Sequence, residues 1–287
     1  MKQLLLFTKS FTIYLYHLAR RFMISVLKGE KLSRYSYRDI SGGRKLAVLA
    51  NGPSLNNFLN DIRNGADISG IDFSVMNYFA NDDLFVKIKP KFYCFADPMF
   101  FKKDNRYEKV TNLFSKINNT VDWQMTIFIK ESEKEFRKFA KINNSHIKII
   151  SVNSLTFNDK LKYRFRLYKS NYARPSLWTV AILNLYCGLN SGYKKIDLYG
   201  SDLTLLSALA VDDNNVLCNI ETHFYEEKKQ LKKITFGNDK SVRTADYIKM
   251  VNDMIYSHYD IAEYAKYIGA IITNRSKVSL LDCYPRQ

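Results

Sequence analysis

The stretch Leu46-Ala-Val-Leu-Ala-Asn51-Gly52-Pro53-Ser54-Leu55 reads as a buried strand that runs through a tight turn into a helix. An unbroken apolar run suits a strand covered on both faces, as in a parallel sheet. Gly52 and Pro53 make the turn, and Ser54 is placed to cap a helix starting at Leu55. Asn51 offers both a donor and an acceptor at the strand end, which suits a sugar or nucleotide edge. Gly52 would let the backbone approach a ligand, and the helix N-terminus would offer free N–H groups to a phosphate. An ordinary strand–helix turn reads equally well. The sequence contains neither G-x-G-x-x-G nor G-x-x-x-x-G-K-[ST], which argues against a dinucleotide fingerprint and a P-loop.

Working outward, β-rich runs alternate with helical ones. Strands are expected at Leu46–Asn51, Phe73–Phe79, Lys91–Asp97, Met125–Lys130, Lys148–Val152, Lys195–Ser201 and Ala270–Asn274. Helices are expected near Tyr107–Asn118, Ser132–Ile142, Pro175–Cys187 and Arg243–Tyr267. This alternation predicts an α/β fold, a Rossmann-like, mostly parallel sheet flanked by helices. A single catalytic domain would span residues 41–287, with 203–240 as a lid or insertion because Asp212, Asp213, Asn214 and Asn215 run into lysines there.

In such sheets ligands bind outside the carboxyl ends of the strands, so the residues there are the site candidates. Asn77 and Asp97 end two strands, although caps of the next element are the commoner role for Asn and Asp. In Asn171-Tyr-Ala-Arg174-Pro175-Ser176, Pro175 suits a first helical position and Arg174 would reach the cleft mouth to hold a carboxylate or phosphate. A surface ion pair is its bland alternative. Lys195-Ile-Asp-Leu-Tyr-Gly200-Ser-Asp202 is another strand with a glycine turn and an acidic tip. Among the histidines, His17, His146 and His258 read as structural or solvated, whereas His223 lies within the expected lid and could take a proton from a hydroxyl near neutral pH.

The chain has 287 residues and a net charge of +16, which favours polyanionic partners and excludes a disordered or fibrous class. Residues 1–40 carry eight Lys and Arg against Glu30 and Asp39, a net of +6. Leu4, Phe7, Phe11, Leu15, Leu18 and Phe22 recur at helical spacing, so this extension reads as an amphipathic helix lying on an anionic inner-membrane surface. That would place the protein in the cytoplasm, peripheral to the membrane. A second reading packs the stripe on the body or on another copy of the chain, as in a homo-oligomer. Cys94, Cys187, Cys218 and Cys283 are too scattered for a zinc site and read as reduced thiols. No RNA-recognition signature accompanies the basic charge, so nucleic acid is not an expected partner.

Taken in order, these motifs resemble the bacterial sialyltransferases of glycosyltransferase family 42. They are also similar to the related nonulosonate transferases and pterin diphosphokinase-like proteins. The resemblance rests on Asn51–Leu55, the strand ends at Asn77 and Asp97, Arg174, Gly192–Asp202 and the late His223. It implies an inverting, metal-independent transfer from a CMP-sugar donor, with no separate cofactor, to a glycan or glycolipid of lipopolysaccharide or capsule. On that reading His223 is the catalytic base, and Arg174 acts on the leaving phosphate. The donor would be held by Asn51, Gly52, Pro53, Ser54, Asn77, Asp97, Ser176, Gly200, Asp202 and Thr204. Two departures stand out. Asp97 replaces a family Asn, and Thr204 or Tyr225 would have to replace tyrosines that follow Gly-x-Asp. The rival reading is a pterin-type diphosphokinase that uses ATP and magnesium.

Overall fold

Seven parallel strands form the centre of the molecule: β1 (Lys45–Leu49), β2 (Ile71–Met76), β3 (Phe92–Phe95), β4 (Met125–Ile129), β5 (Ile147–Ser151), β6 (Lys195–Tyr199) and β7 (Ile271–Asn274). Their spatial order is β7-β6-β1-β2-β3-β4-β5. The structure is a computed structural model that describes residues 35–152, 155–156, 163–207, 209–221, 230–236 and 240–286, with scattered positions between 8 and 23. Every expected strand is present, six of them ending one to three residues early and the last starting at Ile271 rather than Ala270, and the fold is the expected Rossmann-like α/β fold.

Alternating residues divide the sheet between two cores, as the period of two requires. Leu46, Val48, Phe92, Cys94 and Phe128 face α6 (Val180–Asn190) and α7 (Thr244–Tyr267). Ala47, Leu49, Tyr93, Phe95 and Ile127 face the other layer. That layer consists of α1 (Leu55–Arg63), α2 (Leu84–Ile88), α3 (Tyr107–Thr120) and α4 (Glu133–Ala140). The short α5 (Arg164–Lys169) joins the first core through Phe165, Leu167 and Tyr168. Helix α6 is buried along its whole length, which explains why it is apolar all round rather than amphipathic.

The start of α6 differs from the expectation. Pro175 is not its first residue: Ala173–Arg174 is a short strand beside Leu155–Thr156, and the helix begins at Val180 behind the Thr179 cap. Pairing of residues 173–174 leaves 175–179 as a non-helical run before the helix.

The chain steps from β1 out to β5, then crosses back to lay β6 and β7 on the other side of β1. The topological switch point therefore lies between β1 and β6. Within 203–240 the described residues form a three-stranded antiparallel sheet (Leu209–Val211, Leu217–Glu221, Gln230–Lys233) and a small ribbon (Thr235–Phe236, Lys240–Ser241). Leu217 packs with Tyr247 and Val251 of α7. All four cysteines are free thiols. No described helix is long and apolar enough to cross a membrane.

Candidate active site

The switch point is closed by contacts between its own two loops. The Gly52 amide donates to the Gly200 carbonyl (2.7 Å), and the Ser54 amide donates to Asp202 Oδ2 (2.9 Å). The Ser54 hydroxyl also donates to Asp202, so it does not cap α1 as the sequence suggests. A Cβ on Gly52 would lie 2.5 Å from the Gly200 carbonyl, and Gly200 itself has φ of +67°. Gly52 thus serves the close approach of a neighbouring loop rather than a ligand. The Asp202 carboxylate already occupies the position at the helix start where an anion would bind, and Leu55, Asn56 and Asn57 donate into the turn. The phosphate site expected at Asn51–Ser54 is therefore filled by the protein's own carboxylate. Asn51, Pro53 and Thr204 are exposed around it.

Toward the other edge the strand ends form a different environment. Asn77 has a left-handed backbone (φ 53°), and its side chain hydrogen-bonds to Asp97 while its buried Oδ1 has no partner. Asp97 starts a short 3-10 turn without capping it through its side chain, contrary to the bland expectation. Burial pushes the Asp97 carboxyl up, opposed by the nearby charges of Lys130 and Arg106. Lys130, immediately after β4, is itself pulled down by burial, with Asp97 and Glu131 favouring its charged form.

Lys130 and Arg174 share a cavity of about 960 Å³, at the upper end of the range for small-molecule sites. Arg174 Nη1 donates to Thr156 Oγ1 (3.1 Å) and the Pro175 carbonyl (3.2 Å), while its buried Nε has no acceptor. It makes no salt bridge among the described residues, so the surface ion-pair alternative does not hold. Burial lowers its pKa from the ordinary guanidinium value. Leaving a buried donor unpaired costs about 1–3 kcal/mol, which an anionic ligand would remove. Ser176 also lines this cavity, and α7 closes it with Asp253, Tyr256 and Asp260.

The sequence candidates thus fall into two groups. Arg174 and Ser176 line the cavity, and Asp97, hydrogen-bonded to Asn77, adjoins it electrostatically through Lys130. Asn51–Ser54, Gly200 and Asp202 form the interlocked loops, outside the cavity lining. His223 and Tyr225 lie outside the described residues. His258 is fully buried between Thr179 and Tyr284, and burial lowers its pKa to about 3. His146 is exposed in a loop. Lys130 ends a strand in the sequence too, but a lysine is ordinarily solvated and carries no binding signal by itself. The α7 wall carried a signal too: Asp253, Tyr256, Asp260 and Glu263 recur at three- and four-residue steps.

Among the described residues no cluster of His, Cys, Asp and Glu could hold a metal ion. No protein-family model and no curated protein matches the chain. Among solved structures, the MAf glycosyltransferase from Magnetospirillum magneticum AMB-1 is similar at a TM-score of 0.46 and 11% identity. The match covers 89% of this chain and 36% of that one, so the chain spans about a third of that protein's length.

Proposed function

We propose that the protein is an inverting, metal-independent glycosyltransferase that moves a sialic acid or related sugar from a CMP-activated donor to a surface glycan. The observation that carries the reading is the pair of half-buried cations, Lys130 and Arg174, in one cavity, with Arg174 Nε lacking an acceptor. A donor phosphate would supply that acceptor. Asn77 Oδ1, also unpartnered, would accept from a donor hydroxyl or amine.

The acceptor hydroxyl oxygen attacks the anomeric carbon as the bond from that carbon to the CMP phosphate oxygen breaks. The phosphate leaves with the bonding pair, and the hydroxyl proton passes to His223, the base assigned by the resemblance. Arg174 and Lys130 stabilise the charge that develops on the leaving phosphate, an effect enhanced by their partial burial. Residues 1–40 hold the enzyme at an anionic membrane face, near a glycolipid acceptor.

Nucleotide preference tests the reading. Cytidine nucleotides should raise the melting temperature with EDTA present, and Arg174→Ala should abolish that rise. A preference for ATP that requires magnesium would overturn it in favour of a diphosphokinase.

A further inference from the structure

The cavity lining carries two chemically different sets of side chains. Lys130, after β4, and Arg174, in the short strand Ala173–Arg174, supply its cations. On α7 the charges are unequally matched. Asp260 accepts from Arg164 Nε (2.7 Å) and from the Tyr168 hydroxyl (2.6 Å), and Glu263 accepts from the same guanidinium. Asp253, two turns earlier on the same face of α7, is half-buried and has no hydrogen-bond or ion-pair partner among the described residues. Trp178 and Tyr256 leave 44% and 59% of their surface open, and both line the same cavity as Asp253. The Tyr256 and Tyr259 rings lie 6.0 Å apart, and the Tyr259 hydroxyl donates to Asp282 Oδ1 (2.7 Å).

We infer that Trp178, Tyr256 and Asp253 form a saccharide subsite that takes an uncharged sugar ring and rejects an anionic one. As the acceptor side of the active site, it rests on the glycosyltransferase reading above. A pyranose ring presents a C–H face that an aromatic ring can cover and an equator of hydroxyls that a carboxylate can accept from. Ring coverage would remove apolar aromatic surface from water. Hydrogen bonds to a charged acceptor are the stronger kind, so Asp253 would order the hydroxyls. Its uncompensated negative charge would oppose a second carboxylate on the acceptor. The anionic donor would then be held by Lys130 and Arg174, which keeps the two substrates apart.

The chain has two tryptophans. Trp123 Nε1 donates to the Pro90 carbonyl (2.9 Å) just before β4, at the amino end of the strand whose carboxyl end carries Lys130. In a Trp123→Phe background Trp178 therefore reports alone. The probes are methyl glucoside, galactoside and mannoside, each set against the corresponding methyl uronoside, up to tens of millimolar. At least one neutral glycoside should change Trp178 emission saturably, and its uronoside should bind about tenfold more weakly or less, a difference of about 1.4 kcal/mol. Asp253→Asn should weaken the neutral sugar and narrow that discrimination, while CMP binding stays unchanged. Tyr256→Ala should weaken it too, read by calorimetry. The inference is overturned if no neutral glycoside binds, if a uronoside binds as well as its neutral partner, or if Asp253→Asn changes neither. Sugar binding without cytidine-nucleotide binding would instead retire the glycosyltransferase reading and leave the subsite standing.

Discussion

At the scale of single residues, two buried titratable groups make opposite demands on pH. His258 is held neutral by burial, with a pKa of about 3 against an ordinary 6.5. The unfolded chain binds a proton that the folded protein refuses, so stability is full above about pH 6.5 and falls as the pH drops toward 3. From pH ~7 to pH ~5 the loss from this group is about 2 kcal/mol, and His258→Gln should flatten that slope in urea unfolding. Asp97 behaves oppositely. Its raised pKa means that the folded protein keeps a proton the unfolded chain has released. Its contribution is therefore full below the ordinary value of 3.8 and falls as the pH rises through the raised one. Asp97→Asn should melt higher than the parent at neutral pH, by roughly 2–4 °C for each kcal/mol recovered, with the advantage gone in acid. An equal or lower melting temperature at neutral pH would show that Lys130 and Arg106 fully offset the burial.

At the scale of elements, the deciding feature is the contact between the loops after β1 and β6. Asp202 binds both the Ser54 amide and the Ser54 hydroxyl, so a carboxylate from the second loop terminates the helix that begins after the first. Asp202→Ala would leave that amide without its acceptor at a cost of about 1–3 kcal/mol. It would also open the start of α1 to a mobile anion. Millimolar phosphate should then raise the melting temperature of Asp202→Ala more than that of the parent. Equal responses would mean that the loops close over the gap. The sequence made Ser54 readable as a helix cap, and the helix does start at Leu55. It could not show that the Ser54 oxygen is taken by a residue 148 positions away.

At the scale of the whole molecule, the chain is tied to the body from Tyr35 onward. The Tyr35 hydroxyl donates to the Cys187 carbonyl (2.8 Å), and the Tyr37, Arg38 and Ile40 amides donate to Lys169, Asn190 and Ser191. Upstream, Phe11, Leu15 and Phe22 are 49%, 48% and 64% exposed, so these parts of the apolar stripe do not contribute to the core. A deletion that tests the membrane proposal therefore ends at residue 34. The truncated protein should melt within a few degrees of the parent yet lose binding to anionic vesicles, and binding by the full chain should weaken with salt. Early melting or aggregation of the truncated protein would favour packing against the body or another copy.

The apolar run Leu46–Ala50 and its six counterparts were enough to specify a parallel sheet, because strands buried on both faces must be apolar on both faces. Polar residues at their carboxyl ends were legible for the same reason, since the topology leaves those ends as loops. Tertiary structure alone decided which of those residues share a site. Arg174 entered the cavity because Ala173–Arg174 pairs as a strand instead of opening a helix. Lys130 joined it from the end of β4, and Asp253 and Tyr256 from a helix more than a hundred residues later. Gly52, Ser54 and Asp202 were drawn instead into one another, since a local motif carries no record of the loop that folds against it.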